Sequence, residues 1–337
     1  MAGSIMRSAR SESCNPLFDD KQMVPAGRSM RARLALAVVL AGLTLCWLAP
    51  AMAGELRPAD EVSSPPPLFI EIIPGDLPLI LSAPHGGQLT PDGMPTRVDA
   101  VTVNDWRSQE LARDLADALE ARSGQRPTLV INQLDRSRLD PNRSLGQGAQ
   151  GSAEAQTAWH AFHQAIADGV SAISQRCGAG LYFELHSHGV TGRWLEFGYG
   201  LTADDLRSTD EDLAKARFVV RANVRSLARG GPLTLPDLIR GPDSLGGRME
   251  QAGFRAVPAP GRPEPAGEYF DGGWGVYLHG SRHGGSIDAI QMEAPYDLLT
   301  DAWRPRLVEA LAEALLASLE SWYGFNSQAG ADDLCGW

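Results

Sequence analysis

Leu181–Gly189 reads LYFELHSHG, and this stretch decides how the rest of the chain is expected to fold. Leu181, Tyr182 and Phe183 form an apolar run bounded upstream by Gly178 and Gly180, the pattern of a buried strand. The run then empties into Glu184, His186, Ser187 and His188 and stops at Gly189. Such a strand delivers a carboxylate and imidazoles to the rim of a sheet, and in open α/β sheets the carboxyl ends of strands are where ligands bind. Taken alone, the same pattern fits a polar strand end with surface histidines equally well.

Working outward, apolar runs at 68–73, 77–82 and 128–134 read as strands. The second empties into Ala83-Pro84-His85-Gly86-Gly87, again a histidine at a strand end, and the third into Asp135–Arg143, DRSRLDPNR. Helical spacing of apolar residues places helices over 103–123 and 153–175, with Asn104 or Asp105 as the N-cap of the first. The alternation of strand and helix around LYFELHSHG calls for parallel strands joined by crossover helices. Further strands are expected at 194–199, 276–279 and 286–292. Helices are expected over 211–229, in part over 236–252, and over 303–322, where Leu307, Leu311, Leu315 and Leu319 make a core stripe. The expected fold class is α/β: a mixed, largely parallel central sheet with helices on both faces.

The first 53 residues read as a leader. Arg28, Arg31 and Arg33 precede the apolar run Leu34–Ala49, and Ala51-Met52-Ala53 follows, the three parts of a secretory signal peptide. The apolar run is short for a membrane span, which needs roughly 20 residues, so export without a stable membrane anchor is expected. A Pro-rich linker over 54–66 leads to a catalytic domain over 67–325 and a tail over 326–337. The whole chain has 30 Lys+Arg against 41 Asp+Glu, a net charge of -11; losing the leader removes six basic and three acidic residues and leaves -14. That balance repels phosphate backbones and excludes nucleic acid as a partner. Of the four cysteines only Cys177 and Cys335 lie beyond the leader, and they stand either as a disulfide or as two thiols.

Several strand ends thus carry chemistry: His85, the 138–143 segment, His186 and Glu293. Two imidazoles and a carboxylate are a common ligand set for catalytic zinc, with a fourth position left open. The histidines form no short-range zinc motif, so the signal lies in the ensemble of strand ends.

In order along the chain, SAPHGG (82–87), NDW (104–106), SRLDPNR (137–143), ELHSHG (184–189), GGW…RHGG (272–285) and AIQMEAP (289–295) resemble the N-formylglutamate amidohydrolase family. That family is related in fold to the zinc carboxypeptidases and aspartoacylase, a phosphorylase/hydrolase-like architecture. The resemblance implies Zn2+ as cofactor, held by His85 and His186. The position three residues after the first histidine, acidic in the carboxypeptidase relatives, is Gln88 here, so Asp105 is the candidate third ligand, with Gln88 and Glu184 as alternatives. It further implies Glu293 as the catalytic carboxylate, Asn142 and Arg143 as the clamp on a substrate carboxylate, and His283 at the pocket edge. Arg138 is expected to hold a second carboxylate or the developing oxyanion, or to pair with Asp140. Trp274 is expected either to floor the pocket or to pack in the core. His160 and His163 are assigned to the helix surface or behind the ligands, His188 and His279 to the polar surface.

The expected function is an exported zinc amidohydrolase acting on an N-acyl amino acid or short peptide with a free carboxylate. The rivals are a carboxypeptidase-like or poly-γ-glutamate-type peptidase, and a non-catalytic periplasmic binding protein on the same scaffold. The oligomeric state is left open.

Overall fold

The computed structural model describes residues 69–189, 194–231, 233–326 and 335. The leader, the Pro-rich linker and most of the tail lie outside the described residues. Seven strands form one sheet in the order β1-β3-β2-β4-β7-β5-β6. They are β1 (Ile70–Ile73), β2 (Leu79–Ala83), β3 (Thr128–Asn132), β4 (Gly180–His188), β5 (Trp194–Gly198), β6 (Arg255–Val257) and β7 (Ile287–Pro295). β2, β3, β4 and β7 run parallel; β1 is antiparallel to β3, and β5 is antiparallel to β7 while β6 follows β5 in parallel. The mixed, largely parallel α/β sheet expected from the strand–helix alternation is present.

β4 and β7 are buried at every position, as central strands covered on both faces must be. Their alternate residues divide between two cores. Leu181, Phe183 and Leu185 of β4, with Ile290 and Met292 of β7, join Leu111, Leu115, Leu311 and Leu315 from the Ser108–Ser123 and Arg304–Tyr323 helices on one face. Tyr182 and Ala289 face the other way, against Phe162 and Ile166 of the Ala153–Cys177 helix and Val276. The period of two therefore also fixes which face receives Glu184, His186, Gln291 and Glu293: the second one.

Some expectations are corrected. The run 276–279 is not a strand but part of a helix, Trp274–His279. The single helix expected over 211–229 is three short pieces, Asp210–Leu213, Ala216–Val219 and Arg225–Gly230. The first long helix starts at Ser108, leaving Asn104 and Asp105 in the preceding loop rather than at its cap. Cys177 and Cys335 form a disulfide with their Cα atoms 5.1 Å apart, tying the end of the Ala153–Cys177 helix to a residue 158 positions away. Among the described residues, no helix is long and apolar enough to cross a membrane.

Candidate functional site

Three parallel strand ends and one loop converge. β2 runs into His85, β4 carries His186, and β7 sets Glu293 directly beside His186 in register. The loop before the Ser108–Ser123 helix brings in Asp105, whose Oδ2 accepts the Ser187 backbone N–H at 3.2 Å. Ligand atoms of His85, Asp105 and His186 lie within 4.8 Å of one another, and all three residues are buried. The two Nδ1 atoms are 3.2 Å apart, His186 Nδ1 is 2.9 Å from Asp105 Oδ2, and His85 Nδ1 is 3.3 Å from Asp105 Oδ1.

The far nitrogens explain why the near ones face each other. His85 Nε2 lies 2.8 Å from Asp140 Oδ1, and His186 Nε2 lies 3.1 Å from Glu184 Oε1. A carboxylate on each Nε2 places the proton there and leaves a lone pair on each Nδ1, the arrangement of histidines that bind a metal. Two lone pairs 3.2 Å apart, with a carboxylate beside them, repel unless a cation lies between them. In the protein without metal a proton meets that need. Burial works against it, but Glu293, Asp105 and Glu184 together raise His186 well above the ordinary histidine range. Burial likewise opposes ionisation of Asp105, yet both imidazoles hold it below the usual carboxylate range. The donor set thus fits a borderline divalent ion such as zinc.

The carboxylates behind the ligands are anchored in turn. Asp140 is fully buried, pairs with Arg136 Nε at 3.0 Å and Arg97 Nη1 at 3.6 Å, and its Oδ1 accepts the Asn142 N–H at 3.0 Å. Despite burial, Arg136 and His85 hold it well below its normal range. Glu184 Oε2 accepts from Tyr182 at 2.6 Å. Glu184 therefore orients His186 instead of serving as the third ligand, and Gln88 is exposed. Gly275 packs so closely over Glu184 Oε2, and Gly273 over Asn142, that a Cβ at either would overlap them.

Glu293 is buried and accepts from Gln291 Nε2 at 3.0 Å. Burial, opposed by His186 and Arg136 and reinforced by Asp105 and Glu196, pushes its carboxyl up to about 8. Glu196, which the sequence reading passed over, sits opposite Glu293 on β5, and burial pushes it up to about 7.

Other expected residues are placed differently. Arg138 turns away: its Nη1 donates to Met94 O at 2.6 Å and Thr96 Oγ1 at 2.7 Å, and it makes no ion pair with Asp140. The cation beside the cluster is Arg136, 3.4 Å from Asp105 Oδ1. In DRSRLDPNR the two arginines are equivalent as sequence; only the four-residue spacing from Arg136 to Asp140 favours the pair that forms. Asn142 Oδ1 accepts the Gly275 N–H at 3.3 Å, its Nδ2 lies 3.2 Å from His186 Nε2, and Arg143 Nη1 donates to Asn142 O at 2.8 Å. His283 is exposed, edge-on to Tyr277 at 4.6 Å. Trp274 opens its helix half-buried and stacks on Tyr277 at 5.9 Å. His163 and His188 are not surface residues. His163 is buried with Nδ1 3.0 Å from His279 Nε2, and His188 is buried against Phe270, ring centroids 5.7 Å apart.

No protein-family model and no curated protein matches the chain. Among solved structures, it is similar to N-formylglutamate amidohydrolase from Ralstonia eutropha at 16% identity and a TM-score of 0.44, over 74% of this chain and 97% of that one. It is also similar to a gene product from Agrobacterium tumefaciens at 15% identity and a TM-score of 0.41, over 75% and 94% of the two chains. The chemistry of the site rests on its own geometry.

Proposed function

We propose that the chain is an exported zinc-dependent hydrolase that cleaves the carbon–nitrogen bond of an N-acyl or amide substrate bearing a free carboxylate. The observation that carries this reading is the convergence of His85 Nδ1, His186 Nδ1 and Asp105 within 4.8 Å, with Glu293 in register with His186 on the next strand. The motif resemblance to the N-formylglutamate amidohydrolases supports it. So does the Cys177–Cys335 disulfide, a bond that persists in oxidising, exported environments.

His85, His186 and Asp105 would hold the ion, with Asp140 and Glu184 fixing the two rings. A zinc ion there supplies Lewis acidity, which acidifies water and polarises the amide carbonyl. Glu293 takes the proton from the attacking water on its carboxylate and delivers it to the leaving nitrogen. Burial raises this carboxyl above the ordinary carboxylate range and a bound cation would lower it again, opposing effects that suit a group which must both accept and return a proton. Arg136, held between Asp105 and Asp140, supplies the fixed positive charge next to the reacting carbonyl. Arg143, half-buried beyond Asn142, offers the substrate carboxylate a planar fork of donors.

The test is a screen of the purified protein against N-formyl, N-acetyl and γ-glutamyl amino acids, with zinc supplied and with zinc removed by a chelator. Release of free amine that depends on the metal is expected. Absence of cleavage in the loaded protein, or cleavage that survives chelation, would contradict the proposal.

A further inference from the structure

The metal cluster has two sides, and the Asn142–Arg143 clamp occupies one of them. Asn142 reaches His186 from its Nε2 side at 3.2 Å. Trp159 of the Ala153–Cys177 helix donates its Nε1–H to Arg143 O at 3.0 Å, so the clamp stands over the second face of the sheet. Asp105 reaches His186 from the Nδ1 side at 2.9 Å, on the loop that enters the Ser108–Ser123 helix of the first face. The residue after Asp105 is Trp106, which is 44% exposed. Its ring meets that of Tyr296 edge-on, with centroids 5.8 Å apart. Tyr296 follows Glu293 by three positions and opens the short helix Tyr296–Leu299, whose Leu298 and Leu299 belong to the first-face core.

The position of the indole is built, not incidental. Ser187 Oγ donates to Trp106 O at 2.9 Å while the Ser187 N–H donates to Asp105 Oδ2 at 3.2 Å, so one residue of β4 fixes metal ligand and indole together. Arg107 adopts the left-handed conformation, φ 59°, unfavourable for a residue with a Cβ, and turns the chain into the helix directly after Trp106. Its guanidinium donates to Leu299 O at 3.1 Å, pairs with Asp301 at 2.7 Å and stands 5.4 Å from the Trp106 ring centroid, backing the indole. Among the described residues eight large hydrophobic side chains are exposed, and five of them lie between β2 and the Ser108–Ser123 helix: Leu89, Val98, Val101, Val103 and Trp106. Single exposed hydrophobics are ordinary, whereas their concentration on the loop that supplies Asp105 marks a ligand surface.

We propose that Trp106 and Tyr296 form the acyl subsite, so that the preferred substrate is an amino acid carrying an apolar acyl chain longer than formyl or acetyl. This rests on the hydrolase reading above and names the acyl class of its substrate. A molecule whose carboxylate lies on Arg143, over the second face, and whose amide carbonyl lies at the cluster continues toward the first face. The indole and the phenol ring are the surfaces it meets there. Each ring offers a broad apolar body with a single polar tip, a contact suited to methylene groups. A formyl or acetyl group leaves the indole wet, whereas a longer alkyl chain covers it and removes apolar surface from water on both partners.

The test assays the full chain with Zn2+ on N-acyl glutamates and N-acyl leucines that differ only in the acyl group: acetyl, butanoyl, hexanoyl and octanoyl. Complete burial of one methylene is worth about fourfold and contact on one side about twofold, so kcat/KM should rise about twofold per methylene. The slope should flatten in Trp106→Ala and persist in Trp106→Phe. Slopes compare substrates within one preparation, so a partial loss of zinc or of folded protein scales every member alike. A flat series in the unaltered chain overturns the subsite without any variant. So does a slope that Trp106→Ala leaves intact, or one that follows the side chain of N-acetyl amino acids instead of the acyl chain. The two proposals fail separately. Cleavage with a flat series leaves the hydrolase standing and removes the subsite. If no member of either series is cleaved, calorimetric binding of the same compounds decides. Affinity that rises with acyl length in the unaltered chain and not in Trp106→Ala removes the hydrolase and keeps the subsite, and equal affinities remove both.

Discussion

Two pairs of histidines, all buried but the half-buried His279, share this molecule, and their ring nitrogens approach to nearly the same distance: 3.2 Å between His85 and His186, 3.0 Å between His163 and His279. Their chemistry is opposite. In the second pair every hydrogen is accounted for. His163 Nε2–H donates to Pro141 O at 3.0 Å, so its Nδ1 is free to accept from His279 Nε2–H. Among the described residues no carboxylate touches either ring, and burial pushes both down to about 4. In the first pair Asp140 and Glu184 claim the Nε2 protons, two lone pairs meet, and Asp105 adds negative charge beside them. Proximity of imidazoles therefore does not make a metal site; the carboxylates behind them do.

The largest effect is expected just beyond the first pair. Glu293→Gln keeps shape and ligands but removes the proton acceptor, so turnover should fall by roughly 10²–10⁴-fold with metal content unchanged. Steady-state kinetics beside elemental analysis check this, and a variant as active as the parent would take Glu293 out of the mechanism.

Next comes the carboxylate that sets one ring's tautomer. Asp140→Asn should weaken metal affinity by about 10–100-fold, measured by competition with a chelator. Undiminished affinity would mean that Asp140 serves only to bury Arg136 and Arg97.

His279→Ala sharpens the contrast from the other side. It leaves the buried His163 Nδ1 without its donor and should cost about 1–3 kcal/mol in denaturant unfolding. Turnover should stay within about threefold, since neither ring touches the cluster. A loss of metal instead would merge the two pairs into one site.

The smallest effect is a slope. Folded His163 and His279 resist protonation down to about 4, whereas the unfolded chain takes up those protons near 6.5. Stability from this pair is therefore fully present above about pH 6.5 and is lost as pH falls toward 4. Melting temperature followed across that window should fall less steeply in His279→Ala; an unchanged slope would show that the pair is not the source.

What the sequence made legible follows the same division. Strands that end in a histidine or a carboxylate announce themselves locally, so β2, β4 and β7 and the positions of His85, His186 and Glu293 at their ends could be read from a few neighbours each, while their roles came from the family resemblance. Asp105 needed the NDW motif, because nothing local separates a ligand from a helix cap. The His163–His279 pair spans 116 positions and depends on a helix where the Val276–His279 run reads as a strand. Glycines 273 and 275 let that segment press onto Asn142 and Glu184, which favours a turn of helix over an extended strand. Glu196 escaped notice because a single carboxylate in WLEFGY becomes significant only once β5 is paired against β7.

Metal content of the purified protein and of four single alanine variants tests the central claim most directly. The unaltered chain should carry close to one zinc per molecule; His85→Ala and His186→Ala should lose it, and His163→Ala and His279→Ala should keep it. A chain that takes up no metal, or one whose metal is lost as readily from the second pair as from the first, would contradict the account.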